Sequence, residues 1–213
     1  MINDFTIEGE DFARAAFNAL AFTPAHSVIP AAMLHLGAAE GYFLATDTYA
    51  IGRPSLGPIH GLEATVDLEL TRADLAELDK VGRACKGELK VTILADGGLI
   101  AAGVQLNVQA VIPERASALG YDKGVWKLCT DMLEKLDREQ PDIPELLALD
   151  PGLLSRFGKI KTPKGTSPML DMRITGHDEP ILVKCGPQFT GALMPVDRDV
   201  AARSTARGGD FLW

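Results

Sequence analysis

Four histidines are the first candidates for acid–base or metal chemistry, and their spacing argues against both. His26, His35, His60 and His177 stand in four separate segments, with no H-E-x-x-H pattern among them. Such patterns are what put two ligands, or a ligand and a general base, on one turn of helix. Cys85, Cys129 and Cys185 are odd in number and far apart, and no C-x-x-C occurs. That spacing supports neither a disulfide framework nor a cysteine-rich zinc site. There is no G-x-S-x-G elbow, and Pro163-Lys164-Gly165-Thr166-Ser167 carries the letters of a phosphate loop in the wrong order. Asp47, within Ala45-Thr46-Asp47-Thr48, reads as a turn carboxylate bonding its own backbone rather than as a base. The acidic run Asp142 to Glu145 reads as a solvated loop. No catalytic group, metal or cofactor is expected.

Charge narrows the partners. Lys and Arg number 21 against 29 Asp and Glu, a net charge of −8, which excludes a protein that coats nucleic acid with its whole surface. A local basic stripe remains compatible with it. The 46% hydrophobic share is that of a folded domain. No stretch of eighteen apolar residues is present, so no membrane span is expected. Met1 to Phe5 lacks the basic and apolar regions of a signal peptide, and a cytoplasmic location is expected.

The elements that must position any site follow from periodicity. Phe5 to Glu10 alternates as a short strand, Asp11 is the expected N-cap, and Phe12, Ala15, Ala16, Ala19 and Leu20 repeat at helical spacing up to Thr23-Pro24. Met33 to Gly37 and Gly41 to Gly52 read as a hairpin around Ala38–Gly41. The order then repeats. Ala64 to Leu70 alternates, and Thr71-Arg72-Ala73-Asp74 resembles a capping box opening a helix through Cys85. Leu89–Leu94, Leu99–Val104 and Leu106–Ile112 follow as strands, and Pro113 to Gly120 reads as a linker. A helix is expected over Val125 to Glu139, with Val125, Leu128, Met132, Leu133 and Leu136 on one stripe. A third unit begins with a short strand at Leu146–Leu149 and a helix from Asp150-Pro151 to about Ile160. Strands follow at Met169–Ile174, Pro180–Cys185 and Phe189–Val196.

Two stretches carry a resemblance. Tyr42-Phe43-Leu44-Ala45-Thr46-Asp47-Thr48-Tyr49-Ala50-Ile51 resembles the "L-x-A-T-D-G-x-R-L-A" strand of bacterial DNA sliding clamps. Pro180 to Lys184 and then Phe189 to Val196 are similar to the clamp's last strands, which end in hydrophobic-Met-Pro-hydrophobic. The resemblance implies an α+β clamp fold, built from repeated strand–helix–strands units with antiparallel sheets outside and helices on the inner face. It implies a complete clamp-like domain at 1–117, a reduced second one at 118–198, and a flexible tail at 199–213. A shortened or phage-type clamp fits that organisation.

The resemblance also implies partners: double-stranded DNA without sequence specificity, a DNA polymerase and a clamp loader, and further copies of the chain in a ring, with a trimer favoured over a dimer or monomer. The expected peptide groove has Thr46, Thr48, Tyr49 and Ile51 on one wall and Leu193, Met194, Pro195 and Val196 on the other. The family's usual glycine is Thr48 here and its usual arginine is Ala50. The expected DNA-facing cations are Arg72, Lys80, Arg83 and Lys86 on the second helix, and Arg156, Lys159, Lys161 and Lys164 in the third unit. The tail residues Phe211, Leu212 and Trp213 resemble a clamp-binding peptide attached to the chain itself. Two other readings stand beside a processivity factor: a clamp-fold hub or decoy that does not encircle DNA, and a small α+β enzyme using Asp47, His60 and Asp171.

Overall fold

The computed structural model describes residues 3–24, 32–59, 62, 65–95, 98–103, 109–112 and 124–197. The expected repeat is present. β1 (Asn3–Glu8), α1 (Gly9–Leu20), β2 (Ala32–Leu36), β3 (Gly41–Thr46) and β4 (Ala50–Gly57) form the first unit. β5 (Val66–Leu70), α2 (Arg72–Ala84), β6 (Glu88–Ile93), β7 (Leu99–Gly103) and β8 (Gln109–Ile112) form the second. After α3 (Gly124–Arg138) come α4 (Pro151–Phe157), β9 (Leu170–Arg173), β10 (Ile181–Cys185) and β11 (Phe189–Leu193).

Every strand pairing is antiparallel. A four-stranded sheet runs β1-β6-β7-β8, and a seven-stranded sheet runs β5-β2-β3-β4-β11-β10-β9. The seam between β4 and β11 joins the first unit to the last, in a register that sets Ile51 opposite Ala192 and Gly52 opposite Gly191. Neither glycine can be replaced freely. A β-carbon on Gly191 would lie 2.4 Å from the Ile51 carbonyl oxygen, and one on Gly52 would lie 2.3 Å from the Phe22 ring.

Local chemistry explains the helix ends. Thr71 and Asp74 form a reciprocal capping box, with the Asp74 amide donating to Thr71 Oγ1 at 3.2 Å and the Thr71 amide to Asp74 Oδ2 at 2.7 Å. Asp150 Oδ1 accepts from the Leu153 amide at 2.8 Å, with Pro151 at the first helical position. Asp11 is not a cap: α1 starts two residues earlier, directly from β1, and its N-cap Glu8 makes no side-chain cap bond. The helix can start there because the Gly9 amide donates to the Gly87 carbonyl at 2.8 Å, which satisfies an otherwise orphaned donor. The stretch Gly41–Gly52 is two strands, broken by a turn at 47–49. Leu146–Leu149 is not a strand, although the Ala148 carbonyl accepts from the Val196 amide at 2.9 Å. The helix expected to reach Ile160 ends at Phe157.

The inner strands of the seven-stranded sheet, β2, β3, β4, β11 and β10, are buried on both faces. Leu34, Leu36, Phe43, Ala45, Ile181, Val183 and Phe189 belong to the main core with side chains of α1, α2 and α4. Met33, Tyr42, Leu44, Ile51, Leu182 and Ala192 point the other way, onto Trp126, Cys129, Leu133 and Leu136 of α3. Two-sided burial is why β2, apart from the half-buried His35, and β3 up to Thr46 read as apolar runs instead of alternating. It also moves the buried stripe of α3: Trp126, Cys129, Leu133 and Leu136 face the sheet, while Leu128 is exposed.

Candidate functional site

The turn joining β3 to β4 is built by its own polar side chains. Asp47 Oδ1 accepts from the Tyr49 and Ala50 amides at 3.1 and 2.9 Å. Thr46 Oγ1 donates to the Ala50 carbonyl at 3.0 Å and accepts from the Thr48 amide at 3.0 Å. Thr48 takes a φ of +79°, the one positive φ at a non-glycine residue among those described. A left-handed backbone explains why glycine suits this position, and threonine, branched at Cβ, holds it against a steric cost. The other carboxylate oxygen of Asp47 pairs with Arg156 of α4, and both side chains are largely buried. The turn is thereby tied to the third unit.

The turn meets the end of β11. The Met194 amide donates to the Tyr49 carbonyl at 3.0 Å. Beside this bond lies an apolar groove of about 240 Å³. Thr46, Thr48, Tyr49 and Ile51 form one wall, and Ala192, Met194 and Pro180 the second. Val125, Trp126, Leu128, Cys129 and Met132 of α3 form the third. Tyr49 and Leu128, 44% and 63% exposed, stand at the surface of this groove. Five of the eight expected wall residues therefore converge: Thr46, Thr48, Tyr49, Ile51 and Met194. The other three do not line it. Leu193 is fully buried in the main core, and Pro195 and Val196 are half-buried beyond the groove, Val196 bonding Ala148.

Sequence reasoning missed the α3 wall, because a helical apolar stripe reads as core. The sequence places Leu128 on that stripe, and only the structure shows it exposed, one residue off the buried face. α3 is held firmly in place. Trp126 Nε1 donates to Glu69 Oε1 at 3.2 Å. Arg173 donates to the last carbonyls of the helix, at Leu136 and Asp137. Lys184 Nζ bonds Asp137 Oδ1 at 2.6 Å and holds that carboxyl below its usual range. Burial pushes the Cys129 thiol up to about 11, so this groove residue is a neutral thiol and no nucleophile near neutral pH.

The eight expected DNA-facing cations are not equivalent. Arg72 donates to the Leu20 and Thr23 carbonyls at 3.0 and 3.1 Å and so closes the end of α1. Lys80 pairs with Glu77, Arg83 with Asp79, Arg156 with Asp47 and Lys164 with Glu10. Among the described residues Lys86, Lys159 and Lys161 have no carboxylate partner. A second cleft, of about 520 Å³, gathers Arg83, Lys86 and Lys161 with Arg14 around Phe17. Lys161 Nζ lies 3.9 Å from the centre of the Phe17 ring. Asn18 fixes the backbone there, donating to the Lys161 carbonyl and accepting from its amide, both at 2.9 Å.

The remaining candidates do not converge. Asp47 is consumed in the turn, Asp171 lies on the edge strand β9, and His60 lies outside the described residues. Phe211, Leu212 and Trp213 also lie outside them. Among the described residues no group of three or more His, Cys, Asp or Glu side chains could hold a metal, and no helix is long and apolar enough to cross a membrane.

No protein-family model matches this sequence, and no curated relative matches it. Solved structures do. The DNA polymerase sliding clamp of Pseudomonas aeruginosa superposes with a TM-score of 0.63 at 12% identity, over 92% of this chain and 67% of the clamp. A putative DNA polymerase III beta subunit of Eubacterium rectale gives 0.68 at 9% identity, over 91% and 65%. The DNA polymerase III beta subunit of Thermotoga maritima gives 0.65 at 10%, over 92% and 65%. This chain spans about two thirds of the length of each. At such identities the likeness is one of architecture, and the architecture is plain: the chain has the α+β fold of DNA sliding clamps.

Proposed function

We propose that this chain is a sliding-clamp-like processivity factor, a non-enzymatic tether. Its groove at the β4–β11 seam takes a short apolar peptide of a polymerase or loader, while an assembly of several copies holds duplex DNA without reading its sequence. The observation that carries the reading is the meeting of the Thr46–Ile51 turn with Met194 across one apolar groove, from positions more than 140 residues apart. An apolar groove with a methionine wall suits such a ligand, because desolvating leucine and aromatic side chains supplies affinity and a thioether repacks around different ones.

The test is binding of a short synthetic peptide ending in leucine and an aromatic, followed by fluorescence anisotropy. Met194→Asp puts a carboxylate against the apolar walls and should weaken binding at least tenfold, since a buried unpaired charge is strongly unfavourable. Undiminished binding by a folded Met194→Asp variant would falsify the groove assignment.

A hub that binds peptides without encircling DNA is the second reading. It is favoured by the engagement of five of the eight expected cations within the chain. Circular DNA separates the two. A closed assembly stays on a nicked circle and slides off the linear form, and charge reversal at Lys86, Lys159 and Lys161 shortens that retention. A hub shows no difference between circle and line.

A further inference from the structure

α3 carries two apolar stripes. Trp126, Cys129, Leu133 and Leu136 are buried on the seven-stranded sheet. Val125, Leu128 and Met132 form a second ridge, each one position before a residue of the first stripe. On a helix of about 3.6 residues per turn that step is a rotation of about 100°. Leu128 is exposed, Val125 and Met132 are half-buried, and all three line the groove beside the turn at Thr48 and Tyr49. Burial on the sheet accounts for the first stripe and not for Leu128. The repeated units do not supply this ridge, since α1, α2 and α4 all pack into the main core.

Tyr49 is exposed across the groove. Of the seven large hydrophobic side chains exposed among the described residues, Tyr49 and Leu128 are the two that stand on it. Both are set on stiff supports. The Tyr49 amide bonds Asp47, whose other oxygen pairs with Arg156. α3 is tied near its two ends, by Trp126 to Glu69 and by Asp137 to Lys184. The slot between the lips is therefore set before a ligand arrives, which lowers the ordering cost of binding. Size and charge then narrow the ligand. A groove of about 240 Å³ lies below the range of drug-sized sites and cannot take a helix about 10 Å across, so it takes single side chains of an extended backbone. None of its lining residues is acidic or basic, and Lys127 and Asp131, beside Leu128 on α3, pair with each other. A charged ligand side chain would lose its water there and gain no partner.

We propose, resting on the reading of this groove as a peptide site, that the ridge of α3 is its specificity element. It selects an extended, uncharged segment whose aromatic side chain is held between Leu128 and Tyr49. The seam supplies the floor, through Ile51, Ala192 and Met194, and accepts any apolar side chain. The choice of an aromatic comes from the lips: Tyr49 offers a ring to stack on, and binding takes the apolar surface of both residues out of water.

Fluorescence anisotropy is the test, with two short synthetic peptides identical except that one ends in Leu-Phe and the other in Leu-Ala. The wild type should prefer the phenylalanine peptide about tenfold or more. Leu128→Ala should weaken that peptide about tenfold and the alanine peptide no more than about twofold, so that the preference collapses. Tyr49→Ala should do the same, while Leu128→Met keeps the volume and the preference. Leu128 is exposed, so its variants leave the core intact, which an unchanged urea midpoint checks. Met194→Asp should weaken both peptides alike and separates this proposal from the groove reading beneath it. If it does so while Leu128→Ala leaves the preference intact, or weakens both peptides equally, the ridge is not the specificity element and the groove stands. A Leu-Lys peptide bound as tightly as the phenylalanine one also overturns the proposal. If neither peptide binds, or binding ignores Met194→Asp, the groove reading falls and takes the proposal with it.

Discussion

Replacing Thr48 by glycine should make the protein more stable, against the usual trend for a loop substitution. Thr48 sits at a φ of +79° with its side chain exposed. The turn uses only its backbone amide, which donates to Thr46 Oγ1 at 3.0 Å and is kept in the variant. A residue with a β-carbon in the left-handed region loses about 1–2 kcal/mol relative to glycine. Glycine in turn frees the unfolded chain, which costs about 0.4–1 kcal/mol of stability. The difference is a net gain of roughly 0.5–1 kcal/mol, or about 1–4 °C in melting temperature for a chain of this size. Urea unfolding is the assay, with the midpoint rising and the slope unchanged. Thr48→Ala is the internal control: alanine retains the β-carbon and the strain, so it should not share the gain. If alanine and glycine shift the midpoint equally, or if glycine lowers it, the turn is not strained at Thr48 and the account of its backbone fails.

Three further outcomes follow from the same geometry. Gly191→Ala forces a methyl to within 2.4 Å of the Ile51 carbonyl oxygen, so the β4–β11 seam must move; a loss of about 1–3 kcal/mol in the same unfolding assay is expected. The Cys129 thiol, at about 11, ionises only above the range where the unfolded chain's thiol does. Its alkylation should therefore be slow at pH 8 and climb steadily towards pH 11, while stability falls over the interval in which the unfolded thiol alone is ionised. Deletion of Phe211, Leu212 and Trp213 should raise the affinity of an added groove peptide if that triplet competes for the same apolar walls at high local concentration, read by the same anisotropy titration.

The repeated units were legible because each is written in local chemistry. Alternation set β5, the Thr71–Asp74 box set the start of α2, and Asp150-Pro151 set the start of α4. What stayed hidden depends on contacts across the chain. Nothing near Asp11 announces that α1 starts at Gly9, because the bond that permits it goes to Gly87. Nothing near Arg156 distinguishes a cation for phosphate from one that locks Asp47, because the two are 109 residues apart. The groove was half legible for the same reason: the turn and Met194 each carry a recognisable spelling, while the third wall is a helix whose face is chosen by the sheet beneath it. α3 precedes a third unit that has its helix, α4, but no leading strand among the described residues, and the buried stripe of α3 answers the second face of β2, β3, β4, β10 and β11. A sheet with one solvated face would have left Met33, Leu44, Ile51 and Leu182 bare, so the covering helix and the apolar residues on the second face of those strands are two sides of one constraint. The groove is what remains where α3 stops short of closing over the turn at Thr48 and Tyr49.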